Sequence, residues 1–263
     1  MDPRRPLLDA DAPPAFEVVN ARGRSTAVLT CDHASHVVPP ALRDLGLSRE
    51  QLLDHIGWDP GAADVARRLS GLLDAPLVLS GYSRLVIDCN RPPGAPTSIP
   101  AESGGVRIPG NSNVSADDAH ARAGACFWPY HRAIESLLDA RAAERRPTHV
   151  LAIHSFTPVM LGTSRPWTIG VLYGRDDWLA HRLLDELRRD PDLVVGDNEP
   201  YRVTDASDYG IPMHAERREH PGALIEIRND GPRTPAGVEY WANVVASAYR
   251  AVAGSIDKST GAP

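Results

Sequence analysis

Short apolar runs alternate along this chain with longer segments whose apolar residues recur at helical spacing. Uninterrupted apolar runs of a few residues are typical of strands that are buried on both faces of a sheet. The runs predict strands over 27–30, 76–80, 85–88, 149–153, 168–173 and 223–227.

Helical spacing of apolar residues predicts helices over 61–73, 115–145, 177–189 and 234–252. A further helix is expected to start at Ser48, because Gln51 stands at the third position after it, as in a capping box. Pro235 would occupy the first position of the last helix. Strands that alternate with helices form mostly parallel sheets covered on both faces. The pattern therefore predicts an α/β fold, a three-layer αβα sandwich around a mostly parallel mixed sheet.

The chain length and its apolar content fit one large domain. It has 263 residues, of which 42% are hydrophobic, enough for a sizeable core. We therefore expect a single domain over residues 1–263. The proline-rich start predicts an irregular lead-in over 1–24, and the small polar residues at the end predict a frayed tail over 254–263. The Pro/Gly/Ser-rich stretch 91–113 predicts a long loop of functional or mobile character.

Charge and cysteine content exclude several classes of protein. The net charge is -6 and the 28 Lys and Arg residues are spread along the chain, so a nucleic acid partner is not expected. Cys31, Cys89 and Cys126 are widely spaced and odd in number, which argues against disulfides and favours the reducing cytoplasm. No apolar segment approaches the roughly 20 residues that cross a bilayer, and no secretory signal is evident, so a membrane partner is not expected either.

Two histidines follow predicted strands and so mark one edge of the predicted sheet. His33 follows the strand over 27–30, and His154 follows the strand over 149–153. Ligands collect at the carboxyl ends of strands in open α/β sheets. Catalytic zinc keeps three protein ligands and leaves one position for water, so the two imidazoles are candidate metal ligands. For the third ligand, spacing leaves three candidates open: Asp32, His36 and Asp59.

Glu226 is a carboxylate inside an apolar strand, where it is costly to desolvate without a partner or a task. Beside a metal-activated water it could act as general base and then as general acid. Arg91 and Asn90 together suit the capture of a substrate carboxylate. Arg84 could polarise a substrate carbonyl, although a structural ion pair between Arg84 and Asp88 explains the same residues.

Five sequence blocks, taken together, resemble the N-formylglutamate amidohydrolase family. They occur in order over most of the chain: CDHAS (31–35), WDPGA (58–62), SRLVIDCNR (83–91), HSFTP (154–158) and IEIRND (225–230). The family is similar in fold to the zinc carboxypeptidases and the aspartoacylase-type deacylases. The resemblance therefore implies a phosphorylase/hydrolase-like sandwich with one Zn²⁺ per chain.

The same resemblance implies a role for each candidate residue. His33 and His154 would be metal ligands, and Glu226 would be the general base. Carboxypeptidases carry His-x-x-Glu, but the fourth position here is His36, so the resemblance favours Asp59 as the acidic ligand. Its remaining implications concern the substrate: Asn90 and Arg91 would bind its carboxylate, and Arg84 would stabilise the oxyanion.

These expectations combine into one functional hypothesis. The chain is predicted to be a zinc-dependent amidohydrolase that cleaves the amide bond of an N-acyl amino acid such as N-formylglutamate, with that small molecule as its partner. One alternative is a zinc metallopeptidase or peptide amidase that uses the same site. Another is a non-catalytic protein that binds small carboxylates, which elemental analysis for zinc would distinguish from the enzymes.

Overall fold

A seven-stranded mixed sheet separates two layers of helices. The computed structural model describes residues 6–9 and 11–259 of the chain. Its strands are β1 (Phe16–Val19), β2 (Ala27–Cys31), β3 (Leu77–Ser80), β4 (Glu102–Ser103), β5 (Val106–Arg107), β6 (His149–Phe156), β7 (Val159–Met160), β8 (Thr163–Ser164), β9 (Ile169–Leu172), β10 (Val195–Asp197) and β11 (Gly222–Arg228). Its α-helices are α1 (Arg49–Leu53), α2 (Ala62–Leu73), α3 (Ala116–Arg122), α4 (Trp128–Ala143), α5 (Trp178–Leu187), α6 (Gly210–His214) and α7 (Pro235–Ser259).

The strand order of the main sheet is β1-β3-β2-β6-β11-β9-β10. Four central strands, β3, β2, β6 and β11, run parallel to one another. At the two sides, β1 pairs with β3 and β9 pairs with β11 in the antiparallel sense. The short strands form two separate hairpins, β4 with β5 and β7 with β8. The prediction of a mostly parallel mixed sheet is confirmed.

Each face of the sheet is covered by its own helices. Helices α2, α5 and α7 pack on one face, where Ala223, Ile225 and Ile227 of β11 point. Helices α4 and α6 pack on the other face, where Leu224 of the same strand points. This alternation along one strand follows from the two-residue period of side chains in a sheet, and it confirms the three-layer sandwich. Within the described ranges, none of the helices combines the length and the hydropathy that crossing a bilayer requires.

Local capping signals in the sequence correspond to observed helix starts. The Ser48 side chain accepts a hydrogen bond from the Gln51 amide, and the Gln51 side chain accepts one from the Ser48 amide. This is the predicted capping box at the start of α1. Pro235 is the first residue of α7, as predicted.

The strand predicted over 85–88 is wrong, since this segment is a turn. Its apolar side chains are buried, with Leu85 and Val86 fully so. Side chains, and not a neighbouring strand, take up the backbone carbonyls: Asn111 Nδ2 donates to the Leu85 carbonyl and Arg122 Nη1 to the Val86 carbonyl. An apolar run indicates only that its side chains are buried. A turn whose backbone carbonyls accept hydrogen bonds from side chains can bury them as well as a strand does.

Within the described residues, both terminal regions contain more regular structure than predicted. The lead-in expected to be irregular over 1–24 contains β1, whose residues Phe16–Val19 pair with β3. The last helix continues to Ser259, so the tail expected to fray over 254–263 is helical as far as that residue, and the remainder lies outside the described residues. Pairing with a neighbouring strand explains the first difference, because an edge strand needs no strong apolar pattern of its own.

Candidate active site

A cavity of about 350 Å³ lies at the carboxyl ends of the parallel strands β2, β6 and β11. His33 follows β2, while His154 in β6 and Glu226 in β11 are direct partners in the strand register. Seven residues singled out from the sequence line this one cavity: His33, Asp59, Arg84, Asn90, Arg91, His154 and Glu226. Because the strands are parallel, residues far apart in the chain meet at one edge of the sheet.

His33, Asp59 and His154 form a buried group whose donor atoms all lie within 4.8 Å of one another. Asp59 Oδ2 is 3.3 Å from His33 Nδ1 and 3.0 Å from His154 Nδ1. The two imidazole rings meet edge to face with centroids 4.8 Å apart. Two ring nitrogens and one carboxylate oxygen converging at a cavity wall could bind a metal ion.

The other nitrogen of each imidazole faces a second carboxylate. His33 Nε2 is 2.7 Å from Asp88 Oδ1, and His154 Nε2 is 3.0 Å from Asp32 Oδ2. A carboxylate acceptor favours a proton on Nε2, so loss of the Nδ1 proton would give each ring a lone pair directed towards Asp59 and a bound cation. Metal-binding histidines commonly have such a carboxylate partner, which fixes the tautomer and the ring orientation.

Asp59 is held in place from both strands that carry the histidines. Its backbone amide donates to the His33 carbonyl at 3.0 Å. Its Oδ2 accepts from the Ser155 amide at 3.1 Å, and its Oδ1 lies 3.4 Å from Arg84 Nη1. Gly61, with φ +85°, then turns the chain into α2. A Cβ at this glycine would lie 2.6 Å from Pro232, so the turn requires glycine.

The other two candidates for the third ligand lie elsewhere. The His36 ring packs edge-on against Trp58, with centroids 5.1 Å apart, and His36 does not line the cavity. Asp32 faces Nε2 of His154, on the opposite side of the ring from Asp59. Asp32 also accepts a hydrogen bond of 2.6 Å from the Tyr130 hydroxyl. Asp59 is thus the acid whose carboxylate lies between the two imidazoles.

Hydrogen bonds and nearby charges keep these buried carboxyl groups ionised. Burial alone would raise the pKa of Asp32, but the hydrogen bond and charge of His154 outweigh it and bring the pKa to about 2. Burial likewise opposes ionisation of Asp88, yet the charge of Arg84 and the contact with His33 hold its pKa well below the usual range. Three buried carboxylates, those of Asp32, Asp59 and Asp88, therefore surround the two imidazoles, and a bound cation could replace the charge of the imidazole protons among them.

Glu226 is a buried carboxyl group with an unpaired oxygen. It is 6% exposed, and its Oε2 has no hydrogen-bond partner among the described residues. Burial raises its pKa to about 7. A carboxyl group whose pKa lies near neutral pH is suited to accept a proton and return it in the same reaction.

The two predicted arginines border the cavity and are both paired with acids. Arg84 donates to Asp88 Oδ2 through Nη2 at 2.7 Å and through Nε at 3.1 Å. Although burial opposes it, the carboxylates of Asp88 and Asp59 raise the pKa of Arg84 further. Arg91 Nη1 donates to the Asn90 carbonyl at 2.9 Å and lies 3.4 Å from Asp208 Oδ1.

Asn90 is buried, and its side-chain amide both accepts and donates hydrogen bonds. Its Oδ1 accepts from the backbone amides of Tyr209 and Gly210, at 3.1 and 2.9 Å. Its Nδ2 donates to Asp208 Oδ1 at 3.1 Å. Asn90 thereby fixes the start of α6 and the position of Asp208 beside Arg91.

Sequence reasoning missed the residues that the loop between β10 and α6 brings to the cavity. Tyr201, Val203 and Asp208 all line it. Their signal in the sequence is weak, because loop residues carry no periodic pattern and these stand more than a hundred positions from Arg91. Asp208 can be assigned to the cavity only from the structure, in which Asn90 and Arg91 contact its carboxylate.

Comparison with known proteins identifies the family. A model of the N-formylglutamate amidohydrolase family matches residues 25–231. The chain belongs to this family. It is therefore a hydrolase that acts on amide bonds, and a family of this kind implies a small-molecule substrate.

Solved structures of other proteins have a similar fold. A gene product of Agrobacterium tumefaciens is 36% identical, with a TM-score of 0.90, and the match covers 93% of this chain and 96% of that one. An N-formylglutamate amidohydrolase from Ralstonia eutropha has a TM-score of 0.61 at 17% identity, over 93% of this chain and 98% of that one. At that identity the second likeness concerns the fold alone. No curated protein sequence matches this chain.

Proposed function

We propose that this family member is a zinc-dependent amidohydrolase that cleaves the amide bond of an N-acyl amino acid. One observation carries the proposal: the donor atoms of His33, Asp59 and His154 converge at a cavity that also holds the unpaired carboxyl oxygen of Glu226. Two imidazole nitrogens and one carboxylate oxygen match a catalytic zinc site, in which a fourth position remains for water or substrate. The donor set and its outer carboxylates therefore fit one Zn²⁺ per chain.

The residues of the chain divide the chemistry among them. His33, Asp59 and His154 would hold the ion, which when bound supplies acidification of a water molecule and polarisation of a carbonyl group. Glu226 accepts a proton from the attacking water through its unpaired Oε2 and returns it to the leaving nitrogen. The new C–O bond forms first, and the C–N bond then breaks as the leaving nitrogen takes up the proton, so the products are a carboxylic acid and an amino acid.

Arg84 and Arg91 act on the substrate at two different places. Arg84, ionised and held against Asp88, donates to the carbonyl oxygen as negative charge develops there. Arg91 binds the free carboxylate of the substrate and so sets the orientation of the amide. Asn90 uses one hydrogen of its Nδ2 for Asp208, and its second hydrogen is available to a substrate oxygen.

We also propose that residues 1–263 form one domain and that the protein works in the cytoplasm. The one main sheet supports the first statement, because all seven of its strands form one continuous hydrogen-bonded order. Three free and buried cysteines support the second, since unpaired thiols are usual in a reducing compartment.

A single substitution tests the proposed chemistry. Glu226→Gln preserves the shape of the side chain but removes the proton acceptor, so kcat should fall by at least about 100-fold. Zinc content, measured by elemental analysis, should stay at one ion per chain. Glu239→Gln is the matched control, because Glu239 pairs with Arg68 on the surface and lies outside the cavity. Near-normal turnover in Glu226→Gln would refute the general base, and a purified parent chain without metal would refute the zinc centre.

A further inference from the structure

A buried histidine outside the cavity holds the backbone that carries the proposed carboxylate-binding residues. We infer that His131 of α4, supported by His214 of α6, is a positioning residue for Asn90 and Arg91. This role rests on the proposed function, in which Arg91 binds the free carboxylate of the substrate. Neither histidine lines the cavity, so the pair acts on the substrate only through the position of Arg91.

The hydrogen bonds of the two histidines run in one direction. His131 Nε2 lies 2.8 Å from the Cys89 carbonyl oxygen, and a carbonyl only accepts, so this nitrogen carries a proton. Both rings are neutral, because burial lowers the pKa of His131 to about 4 and that of His214 to about 3. His131 Nδ1 therefore accepts from His214 Nε2 at 2.8 Å. This second bond fixes the tautomer and the orientation of the His131 ring.

These bonds and those of Asn90 form a closed ring of contacts. Cys89 directly precedes Asn90, whose Oδ1 accepts from the amides of Tyr209 and Gly210 at 3.1 and 2.9 Å. Gly210 and His214 are the first and last residues of α6. Asn90 is thus held from two sides, by α4 through the Cys89 carbonyl and by α6 through its own side chain.

The position of Asn90 determines that of the Arg91 guanidinium. Arg91 Nη1 donates to the Asn90 carbonyl at 2.9 Å, so the guanidinium contacts the backbone that His131 holds. Asn90 Nδ2 also donates to Asp208 Oδ1 at 3.1 Å, and this oxygen lies 3.4 Å from Arg91 Nη1. A shift of the segment would therefore move the cation and the anion beside it together. Misplacement of about 1 Å is enough to weaken an oriented contact of this kind.

The surroundings of His131 are those of an apolar core position. Its ring is fully buried and contacts the rings of Phe127 and Tyr209, with centroid distances of 4.2 and 4.5 Å. Ile134 and Leu138, three and seven residues further along α4, are buried in the apolar cluster on this side of the sheet. Residues at this spacing share one face of a helix. An apolar side chain at position 131 would continue the pattern without a polar group to desolvate.

The two histidines also lower the stability of the folded state. His214 Nδ1 is buried and has no hydrogen-bond partner among the described residues. A buried polar atom without a partner lowers the free energy of unfolding. Stability therefore does not explain the two histidines, whereas a hydrogen bond to the backbone directly before Asn90 does.

His131→Phe tests this role, because phenylalanine keeps a flat ring and removes both hydrogen bonds. On the zinc-loaded full chain, KM for N-formylglutamate should rise about five- to tenfold while kcat falls by no more than about twofold. The reason is that Arg91 loses its fixed position, whereas the hydrogen bonds of His131 do not reach the proposed metal ligands or Glu226. A purely structural role would instead reduce the fraction of folded enzyme, which lowers kcat and leaves KM unchanged. An unchanged KM would overturn the inference.

Calorimetry measures the same contact without turnover. In a Glu226→Gln background, addition of His131→Phe should raise the Kd of N-formylglutamate about five- to tenfold. An unchanged Kd would overturn the inference. If the parent chain binds N-formylglutamate but does not cleave it, the proposed function fails for this amide, and the calorimetric comparison still decides on His131. If the parent chain neither binds nor cleaves it, the proposed carboxylate site fails, and this inference fails with it.

Two further variants separate the two hydrogen bonds of His131. Glutamine is long enough to donate to the Cys89 carbonyl, whereas the shorter asparagine can only accept from His214 Nε2. We expect His131→Gln to keep KM within about twofold of the parent value and His131→Asn to lose as much as His131→Phe. The reverse order would overturn the role of the Cys89 bond. Should His131→Phe fail to fold by circular dichroism, these two variants decide alone.

His149→Phe is the matched control for the loss of a buried histidine. His149 is buried, begins β6 and bonds to the Tyr249 hydroxyl at 2.9 Å, but it does not line the cavity. Its variant should leave KM for N-formylglutamate unchanged. A rise in KM equal to that of His131→Phe would show that the effect is not specific to His131, and this would also overturn the inference.

Discussion

Each imidazole of the centre uses its two ring nitrogens for different tasks. Nδ1 of His33 and Nδ1 of His154 face the Asp59 carboxylate, while the Nε2 atoms face Asp88 and Asp32. An outer carboxylate makes the ring a better electron donor and stops it from rotating. The chemistry of the centre therefore depends on two histidines and three aspartates that no short motif contains together.

Removal of one outer carboxylate tests this division of tasks. Asp32→Asn should weaken zinc affinity by about 10- to 100-fold, because the amide no longer enforces the Nε2–H tautomer of His154. The measurement is competition for zinc with a chelator of known affinity, with circular dichroism as the check on folding. Asp177→Asn is the matched control, since Asp177 pairs with His181 on the surface. Unaltered zinc affinity in Asp32→Asn would mean that Asp32 does not orient the ligand.

At the scale of elements, the start of α2 connects the fold to the site. Asp59 lies directly before Pro60 and Gly61, and Gly61 caps α2 in the left-handed region at φ +85°. A Cβ at Gly61 would lie 2.8 Å from the Pro232 carbonyl oxygen, so a larger residue would also disturb the turn that carries Asp59. Gly71, within the same helix, has open space where its Cβ would be.

We expect substitution by alanine to change the free energy of unfolding in opposite directions at these two glycines. Gly61→Ala should lower the free energy of unfolding by about 1–3 kcal/mol, because alanine at positive φ is strained and the added methyl group meets Pro232. Gly71→Ala should raise it by about 0.5–1 kcal/mol, because alanine restricts the unfolded chain and favours the helix. Urea unfolding of both variants measures the two values. Stabilisation by Gly61→Ala would show that the turn tolerates a side chain.

At the scale of the whole molecule, three buried histidines away from the proposed ligands are held neutral. Burial lowers the pKa of His131 and of His149 to about 4 and that of His214 to about 3. His131 Nδ1 lies 2.8 Å from His214 Nε2, and His149 Nδ1 lies 2.9 Å from the Tyr249 hydroxyl. Protonation of these rings would place unpaired charge inside both helical layers.

The folded protein should therefore lose stability as the pH falls below about 6.5. In that range unfolded histidines bind protons and these folded ones do not, so unfolding takes up protons and the free energy of unfolding rises with pH. Glu226 and His154 oppose this trend, because their raised pKa values give the folded state extra protons, but they are two groups against three. The steepest slope should be roughly 3 kcal/mol per pH unit.

Urea titrations of the chelator-treated chain between about pH 5 and pH 6.5 measure this slope. His149→Gln should flatten it, because one of the three groups is gone. His120→Gln should leave it unchanged, because His120 is exposed on α3. A slope that is flat in the parent chain would contradict the neutral state of the buried rings.

The amino-acid sequence by itself determined the layers of this protein and the residue types of its site. Apolar runs and helical spacing were sufficient for β2, β6 and β11 and for the covering helices α2, α4, α5 and α7, though not for α6, because two-sided and one-sided burial leave different periods in the sequence. His33, His154 and Glu226 could be recognised because polar groups at the ends or in the middle of buried strands are costly without a function.

Only the tertiary structure decided how those residues combine. It made the segment around Leu85 a turn, since Asn111 and Arg122 supply the hydrogen bonds of a missing strand. It placed Asp59 between the two imidazoles, and it brought Asp208 to Arg91. The physical reason is that a local pattern records how each residue is buried, whereas contacts between distant residues follow from the order and register of the strands.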